Sequence, residues 1–294
     1  MWQMLSGRFI RMRLTPRQGL RPGNRVIRSW CGCSSNNACG LTRCQELLRP
    51  KLLRPELMMT DIVAAIAADP VTNAVRAASA GADMIEIRID LLDCPPGEQH
   101  PPDSQDSLRS LRLLFEELNN AVQIPIIATN RISTEGGRFR GSEEERIDIL
   151  LSVLELVDAV DIELCAKPEY RDRVVQSARA ASKRVIISYH DFSATPGIAE
   201  LRKILSECFN AGANIAKLAA TPRSYDDALR LLKLTRENGS KQVCIIGMGA
   251  YGAHTRVIAP LYGSVIAYAS IESATAPGQF SVGELAMMLR VLGA

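Results

Sequence analysis

The chain has 294 residues, 47% of them hydrophobic and 23% charged, which is typical of a globular chain with one large core or two modest ones. No uninterrupted apolar run approaches the roughly 20 residues that span a bilayer, so the sequence predicts neither a membrane protein nor a membrane partner. The formal net charge of +3 conceals an uneven distribution, since residues 1–57 carry ten Arg and one Lys against Glu46 and Glu56.

Residues 1–57 are predicted to be a disordered basic extension outside the fold. Their charge balance is +9, whereas residues 58–294 hold 24 basic and 30 acidic residues. An organelle transit peptide and a wrongly assigned start before Met58 and Met59 both fit this composition. Basic runs are usually just solvated, so we expect no nucleic-acid partner. The protein is expected in the cytoplasm, unless the extension is a genuine transit peptide.

Cysteine spacing favours a reducing compartment over a metal site. Cys31, Cys33, Cys39 and Cys44 lack the paired C-x2-C pattern of zinc sites. Four further cysteines stand apart from one another and are expected to be small buried side chains in a reducing environment: Cys94, Cys165, Cys208 and Cys244.

From Asp61 onward, β-branched runs alternate with stretches of helical periodicity, a pattern that indicates parallel strands joined by crossover helices. The predicted strands begin, in chain order, at Ile62, Met84, Ile124, Ala159, Arg184, Asn214, Gln242 and Ser264. Helices are predicted over 71–82, 107–120, 143–157 and 224–239. Eight such units match the size of a (β/α)8 TIM barrel, here residues 58–294, and an open doubly wound sheet is the alternative.

Charged residues collect where the predicted strands end, which is where a barrel carries its active site. They are Glu86, Arg88 and Asp90 of strand two, Arg131 at the end of strand three with Glu135 soon after it, Glu163 of strand four, His190 of strand five and Lys217 of strand six. The three on strand two alternate with isoleucines and are expected to share one face. Each alone fits a structural ion pair or a rim residue, but together they indicate chemistry.

Lys217 and His190 are the chemically informative pair. Lysine is almost never fully buried without partners, yet NIAKLAATP places Lys217 within an apolar strand. Burial disfavours the ammonium form of a lysine, and a neutral amine attacks ketones to form a Schiff base. The adjacent carbon then loses a proton easily. A histidine on the neighbouring strand, with an unperturbed pKa near neutrality, is suited to move that proton.

The segment GMGAYG, Gly247 to Gly252, matches the dinucleotide-binding pattern G-x-G-x-x-G, with Glu272 at the expected distance beyond it. It lies in the seventh unit, however, with one strand left. In dinucleotide-binding domains the pattern belongs to the first unit, because several strands must follow. The sequence therefore does not favour an NAD site.

Six spaced motifs resemble those of type I 3-dehydroquinate dehydratases. They are IEIRID, TNR with EGG, SYHDF with TP, AKLAATP, GMGAYGAHTR and ATAPGQF, in the order and approximate spacing of that family. The resemblance covers Asp61 to Ala294. It implies a (β/α)8 barrel that dehydrates 3-dehydroquinate to 3-dehydroshikimate in the shikimate pathway, without metal or cofactor. It also implies a homodimer.

The resemblance assigns a role to each matching position. Lys217 corresponds to the lysine that forms the Schiff base, His190 to the general acid and base, and Glu135 to the carboxylate that orients the histidine. Substrate binding falls to residues that contact the ring hydroxyls, the substrate carboxylate or the surrounding pocket: Glu86, Arg88, Arg131, Arg256, Thr275 and Gln279. Thr275 departs from the family, which usually has serine there, so the kinetic effect of the extra methyl group stays open.

Three rival functions remain from the residues alone. A class I aldolase would share the Schiff-base lysine. A metal-dependent sugar isomerase could use side chains of the ligand type, namely Glu86, Asp90, Glu163 and His190. A barrel that only binds a ligand is the third. Trapping an imine with borohydride separates the first class from the others, and sensitivity to chelators isolates the second.

Overall fold

The computed structural model describes residues 60–92, 105–271 and 276–293. Eight strands, all parallel, form one sheet, which confirms the predicted barrel and its strand order. They are β1 (Asp61–Ile66), β2 (Met84–Arg88), β3 (Ile126–Thr129), β4 (Ala159–Glu163), β5 (Arg184–Asp191), β6 (Ile215–Ala220), β7 (Val243–Gly247) and β8 (Ile266–Ser270). The extension over residues 1–57 and its cysteines lie outside the described residues.

The sheet closes on itself. Its strands run in the order β7-β6-β5-β4-β3-β2-β1-β8, and β8 pairs in parallel with β1 through a register that matches Val63 with Tyr268. In the described residues, β7 is joined to the segment before β8 by a single bridge between Val243 and Ser264. There Val265 N donates to Val243 O at 2.9 Å. The barrel is therefore complete apart from a loosely paired seam.

Side chains of each strand alternate between the barrel interior and the layer of helices. Inward positions form one apolar cluster that contains Val63, Ile127 and Ile186. Outward positions such as Ile85 and Ile87 belong to a second cluster, which packs against the helices. The inward face of β2 therefore presents Glu86 and Arg88 beside this apolar interior, as the alternation of charged residues with isoleucines predicts.

Helices surround the barrel: α1 (Pro70–Ala80), α2 (Gln105–Ala121), α3 (Glu143–Ser152), α4 (Pro168–Ala180), α5 (Ile198–Asn210), α6 (Tyr225–Glu237), the short α7 (Gly249–Gly252) and α8 (Thr255–Ile258), and α9 (Val282–Leu292). Local sequence sets their ends, because Ser142 and Glu145 form a capping box that begins α3, and Gly81 ends α1 with a φ of 98°. Within the described ranges, every helix is too short or too polar to span a bilayer.

One helix prediction is wrong in extent. The stretch 143–157 is not a single helix, since α3 ends at Ser152 and a 3-10 turn follows at Leu154–Leu156. After this break, Val153, Leu154 and Val157 are all buried in the core directly before β4.

Two strand ends also differ from prediction. Strand β2 ends at Arg88, and Asp90 lies in the 3-10 turn Ile89–Leu91, so it does not share the strand face by alternation. Strand β3 ends at Thr129, two residues before Arg131. Among the cysteines, Cys208 and Cys244 are buried as predicted, whereas Cys165 is exposed, because the turn after β4 carries it outward. Cys94 lies outside the described residues.

Candidate active site

A cavity opens among the carboxyl-terminal ends of the strands. It encloses about 580 Å³ when the space at its open mouth is included. The predicted site residues that line it are Glu86, Arg88, Arg131, Glu135, His190, Lys217, Arg256 and Gln279. Thr275 lies outside the described residues. Residues far apart in sequence thus meet at the edge of the barrel where the strand order predicts them.

Lys217 lies within β6 and points into the barrel. Its Nζ is 2.9 Å from Oδ2 of Asp161 and 3.4 Å from Oε1 of Glu86. The same nitrogen stands over the ring of Tyr268, 4.1 Å from the ring centroid. Although Lys217 is only 4% exposed, it lines the cavity. Its charge is therefore held by two carboxylates and an aromatic face at a place that a ligand can reach.

His190 and Glu135 form the second reactive pair. Oε2 of Glu135 lies 2.8 Å from Nδ1 of the histidine and accepts a hydrogen bond from the His190 backbone N–H at 3.0 Å. An ionised carboxylate can only accept, so Nδ1 carries the proton and donates. The other ring nitrogen, Nε2, is then left as a base. This arrangement fixes both the ring orientation and the tautomer.

The EGG motif explains how Glu135 reaches the histidine. Glu135 closes a 3-10 turn, Ser133–Glu135, and Gly136 follows with a φ of 80°, which favours glycine. A Cβ on Gly137 would overlap the carbonyl oxygen of Arg131. The two glycines therefore let the loop fold back against the end of β3, and this brings the carboxylate of Glu135 to β5.

Burial sets the protonation of this pair. Burial first, then the nearby charges of Arg131 and Lys217, lower the pKa of His190 well below its ordinary value. The imidazole is consequently neutral at neutral pH, and a smaller fraction of it is protonated than in an unperturbed histidine. Burial also raises the pKa of Glu135 to about 7, while a hydrogen bond with the Cys165 side chain and then the charge of Arg131 act against the rise. Glu135 thus changes protonation near neutral pH.

Arg131 is the centre of an ion-pair chain. Its NH1 lies 2.9 Å from Oδ1 of Asp161 and 3.0 Å from Oε1 of Glu163. The second oxygen of Glu163 binds NH1 of Arg146 at 2.7 Å, and Arg146 in turn binds Glu143 at 2.9 Å. Burial acts to lower the pKa of Arg131, but Asp161 and Glu163 raise it well above its ordinary value. Alternating charges thus connect Lys217 to helix α3.

Arg88 is also held by an ion pair, with Asp90. Asp90 is the residue that was predicted to lie in β2 but lies in the turn after it. Nε and NH2 of Arg88 donate to the two oxygens of Asp90 at 2.9 and 2.8 Å. Asp90 also accepts hydrogen bonds from the backbone N–H groups of Arg131 and Arg138. The turn after β2 therefore ties the Arg88 guanidinium to the loop after β3.

Arg256 is different, because it is buried without an acidic partner in the described part of the chain. It is 4% exposed, its NH2 donates to the carbonyl oxygen of Pro277 at 3.1 Å, and its Nε has no hydrogen-bond partner. Burial lowers its pKa to about 10, and only the thiol of Cys244 acts in the other direction. Arg256 lines the cavity, so its guanidinium offers an anion site there.

Gln279 and the loop that carries it cover this side of the cavity. Its Oε1 accepts a hydrogen bond from the backbone N–H of Ala276 at 3.1 Å, and Gly249 N donates to Pro277 O at 3.2 Å. The loops after β7 and β8 thus meet beside Arg256.

Several residues in or beside the cavity wall are not predicted from the sequence. Asp161 is fully buried beside Lys217, and Tyr268 and Phe192 form part of the cavity wall. A signal for Asp161 exists, since in the strand AVDIE it lies two residues before Glu163 and hence on the same face. Tyr268 and Phe192 carry no comparable signal, because an aromatic residue in or after a strand is usually core.

The segment GMGAYG covers the last residue of β7, Met248 and the short helix α7. A Cβ on Gly252 would overlap the backbone of Gly247, and Gly249 has a φ of 71°. Thr255 Oγ1 accepts from Gly247 N at 2.9 Å and donates to Gly252 O at 2.7 Å. The glycines therefore serve close packing of the backbone, which leads directly to Arg256.

The side chains of the metal-isomerase hypothesis do not converge. Asp90 binds Arg88, and Glu163 binds Arg131 and Arg146. Within the described ranges, no three His, Cys, Asp or Glu side chains lie together as a metal-binding group. These carboxylates are thus arranged as partners of arginines.

The fold and the cavity together define a (β/α)8 barrel enzyme with its site at the carboxyl-terminal mouth. The sequence profile of the type I 3-dehydroquinase family matches residues 60–294. The chain therefore belongs to that family, which confirms the resemblance of its motifs.

Known proteins that resemble the chain agree with this assignment. A 3-dehydroquinate dehydratase from Methanosarcina acetivorans is 45% identical over 238 residues, which cover 79% of this chain and 94% of the relative. A crystal structure of the Aquifex aeolicus 3-dehydroquinate dehydratase has 31% identity and a TM-score of 0.66, with 79% of this chain and 98% of that chain covered. A type I 3-dehydroquinate dehydratase from Clostridium difficile, described with covalently modified comenic acid, has 28% identity and a TM-score of 0.71, with 80% and 92% covered.

Proposed function

We propose that this chain dehydrates 3-dehydroquinate to 3-dehydroshikimate through an imine on Lys217. The observation that carries the proposal is the enclosed Nζ of Lys217 at the cavity wall, in a cavity that His190 also lines. Membership of the family and the names of the relatives supply the substrate. The covalently modified compound in the Clostridium difficile relative is consistent with a site that forms covalent adducts.

The first step joins the lysine to the substrate ketone. Lys217 loses one proton, and its neutral amine attacks the carbonyl carbon. The carbonyl oxygen takes up one proton, equal to the one that the lysine lost, and a second from the attacking nitrogen, and it leaves as water. The product is a protonated imine, in which the positive charge lies on the former Nζ. Two carboxylates and the face of Tyr268 surround that nitrogen and stabilise its charge.

The second step removes a proton from the carbon next to the imine. Nε2 of His190 is the base, because Nδ1 donates to Glu135 and the ring is neutral at neutral pH. The electron pair from the broken C–H bond moves toward the imine nitrogen and gives an enamine. The ionised Glu135 stabilises the imidazolium that forms, as the carboxylate does in a catalytic triad.

The third step expels the hydroxyl group on the next carbon. The enamine electrons return, the carbon–oxygen bond breaks, and the imidazolium of His190 gives its proton to the leaving oxygen, so that water departs. Attack of water on the remaining conjugated imine releases the ketone product and restores the amine of Lys217. Protons and electrons balance without an outside oxidant or reductant, since the net change is loss of one water.

Arg256 is proposed to bind the substrate carboxylate. It is a buried cation at the cavity wall without an acidic partner in the described residues, and a guanidinium can hold a carboxylate with two parallel hydrogen bonds. The remaining binding residues are assigned by the family resemblance to the ring hydroxyls and their surroundings: Glu86, Arg88, Arg131, Thr275 and Gln279. The two carboxylates beside Lys217 repel the substrate carboxylate, whereas the positive charge of Arg256 attracts it. These charges orient the substrate with its carboxylate toward Arg256.

Mass spectrometry of the intact protein after incubation with 3-dehydroquinate and borohydride tests the proposal. The parent chain should gain one reduced adduct, and Lys217→Ala should gain none. Lys183→Ala is the matched control, because Lys183 lies in a separate surface cleft and donates to the backbone oxygen of Glu155. It should trap substrate as the parent does.

His190→Ala separates the two catalytic roles. An adduct should still form, because Lys217 remains, while turnover should fall by roughly 10²- to 10⁴-fold, the usual effect of losing a general base. If Lys217→Ala still traps substrate, another lysine is the nucleophile and the proposal fails. Near-parental turnover of His190→Ala would assign the proton transfer to a different group, with Glu135 the next candidate.

Assembly as a homodimer and a cytoplasmic location are proposals that rest on the family resemblance and on composition. The same holds for the extension over residues 1–57 as a part outside the catalytic domain. Sedimentation equilibrium of the full chain tests the first, since a dimer should have twice the mass of 32.1 kDa per chain.

A further inference from the structure

Two buried acids on β4 share the partner Arg131, but only one of them contacts Lys217. Asp161 and Glu163 both point inward, both are 0% exposed, and both bind Arg131, at 2.9 and 3.0 Å. Asp161 alone reaches Lys217, with 2.9 Å between Oδ2 and Nζ. The second carboxylate beside Nζ, Glu86, is more distant at 3.4 Å and already accepts a hydrogen bond from Thr129.

Asp161 is itself held rigidly. Its Oδ1 accepts a hydrogen bond from Ser188 Oγ at 2.6 Å and an ion pair from Arg131, which leaves Oδ2 for the lysine. Because Asp161 is fully buried, its charge acts on the cavity through Lys217 and Arg131 and not by direct contact with a ligand. Such a side chain orients a reacting group without touching the reacting carbon.

We propose that Asp161 is a positioning residue that holds the Lys217 nitrogen and supplies the counter-charge of the imine. This inference rests on the proposed function. A fixed anion at 2.9 Å stabilises a positive charge on the nitrogen in the ammonium and in the protonated imine alike. The Asp161 carboxylate therefore has two opposed effects. It holds the proton that Lys217 must lose before it attacks the ketone, and it stabilises the protonated imine once the carbon–nitrogen bond has formed.

Other charged groups near Lys217 also contribute to the electrostatic potential at its nitrogen. The titratable and charged side chains that face it come from the surrounding strands and loops: Glu86, Arg131, Asp161, His190, Cys244, Arg256 and Tyr268. Burial acts to raise the pKa of Asp161, but Arg131 and Lys217 hold it far below its ordinary value. Asp161 therefore stays charged at every pH at which the protein is assayed, so the pH effects tested below arise from its removal.

Asp161→Asn and Glu163→Gln form a matched pair. Both remove one buried charge next to Arg131 and keep the shape of the side chain, but only the first removes the charge beside Lys217. Glu163→Gln also removes the charge that pairs with Arg146. The rate of adduct formation is measured from pH 5 to 10 by borohydride trapping and intact mass, together with kcat and KM. Near-ultraviolet circular dichroism confirms that each variant is folded.

The two variants should differ in the pH dependence of adduct formation. In Asp161→Asn, the midpoint of adduct formation should move about one pH unit or more to lower pH, because the proton leaves the amine more easily. At the plateau, the amount of adduct should nevertheless fall, and kcat with it by about 10-fold or more, because the imine has lost its counter-charge. Glu163→Gln should keep the parental midpoint, although its KM can rise through Arg131.

Equal shifts in both variants, or no shift in either, would overturn the inference while leaving an adduct on Lys217 and hence the proposed function intact. Absence of any adduct in the parent would overturn both. If Asp161→Asn does not fold, Asp161→Ser, which also removes the charge and leaves room for a water, takes its place. Failure of both to fold would mean that Asp161 serves folding, and the inference would be wrong.

Discussion

Replacing Arg256 by methionine should make the protein more stable and less active at once. Arg256 is buried, and the described residues give its charge no acidic partner. The lowering of its pKa to about 10 by burial corresponds to roughly 3 kcal/mol of unfavourable charge burial. Methionine fills similar space without that cost, so the free energy of unfolding should rise by about 1 to 3 kcal/mol.

The loss of activity follows from the same charge. A substrate carboxylate opposite Arg256 would recover the energy lost on burial and add charge-assisted hydrogen bonds of about 1.5 to 3 kcal/mol each. Taking a net loss of about 3 kcal/mol, kcat/KM should fall about 10²-fold in Arg256→Met. Urea unfolding and steady-state kinetics measure the two effects on the same protein preparation.

Arg146→Met is the matched control for this prediction. Arg146 is also buried but is fully paired, with Glu143 and Glu163. Its removal leaves buried acidic charge behind and should destabilise the fold by about 3 kcal/mol or more. If Arg256→Met proves as destabilised as Arg146→Met, or if its kcat/KM is unchanged, then Arg256 is not a buried cation reserved for the substrate carboxylate, and the reasoning is refuted.

Three further predictions concern the histidine pair, the loop after β3 and the extension. Because the pKa of Glu135 is raised to about 7, kcat should fall as pH falls through this value and Glu135 takes up a proton; a pH profile in which Glu135→Gln retains the same limb would contradict this. Gly137→Ala should cost more than about 2 kcal/mol of unfolding free energy, since its Cβ would overlap the Arg131 carbonyl, whereas Gly283→Ala meets nothing within 4 Å and should be neutral or slightly stabilising; chemical denaturation compares them. Deletion of residues 1–57 should leave kcat and the melting temperature unchanged, and an insoluble or inactive product would show that the extension belongs to the catalytic unit.

The fold could be predicted from the sequence because its signals are local. Most of the strands are short, largely apolar runs, and in β2 the alternation of isoleucines with Glu86 and Arg88 indicates which side faces inward. The same alternation placed Lys217 and His190 at one mouth once a closed parallel barrel was assumed. Where the period changes within a few residues, as at Asp90 and at Val153, the pattern extended the element too far.

The partners of the charges could not be predicted, because they depend on contacts between distant segments. Nothing local indicates that Lys217 lies beside Asp161, 56 positions away, or that Arg256 lacks an acidic neighbour. The protonation of Glu135 and His190 likewise depends on how deeply the assembled barrel buries them. A sequence pattern specifies the side-chain type, whereas the environment that tunes it arises only when the strands meet.

The ion-pair chain from Lys217 through Asp161, Arg131, Glu163 and Arg146 to Glu143 has an evolutionary consequence. A single replacement within the chain deprives neighbouring buried charges of one of their counterparts, and this is costly. Its members should therefore be inherited together, and where one is lost in a relative, the adjacent position should have changed too. Glu143, at the outer end and partly accessible to water, is the place where such drift can begin, since Arg146 keeps its pairing with Glu163 when Glu143 is lost.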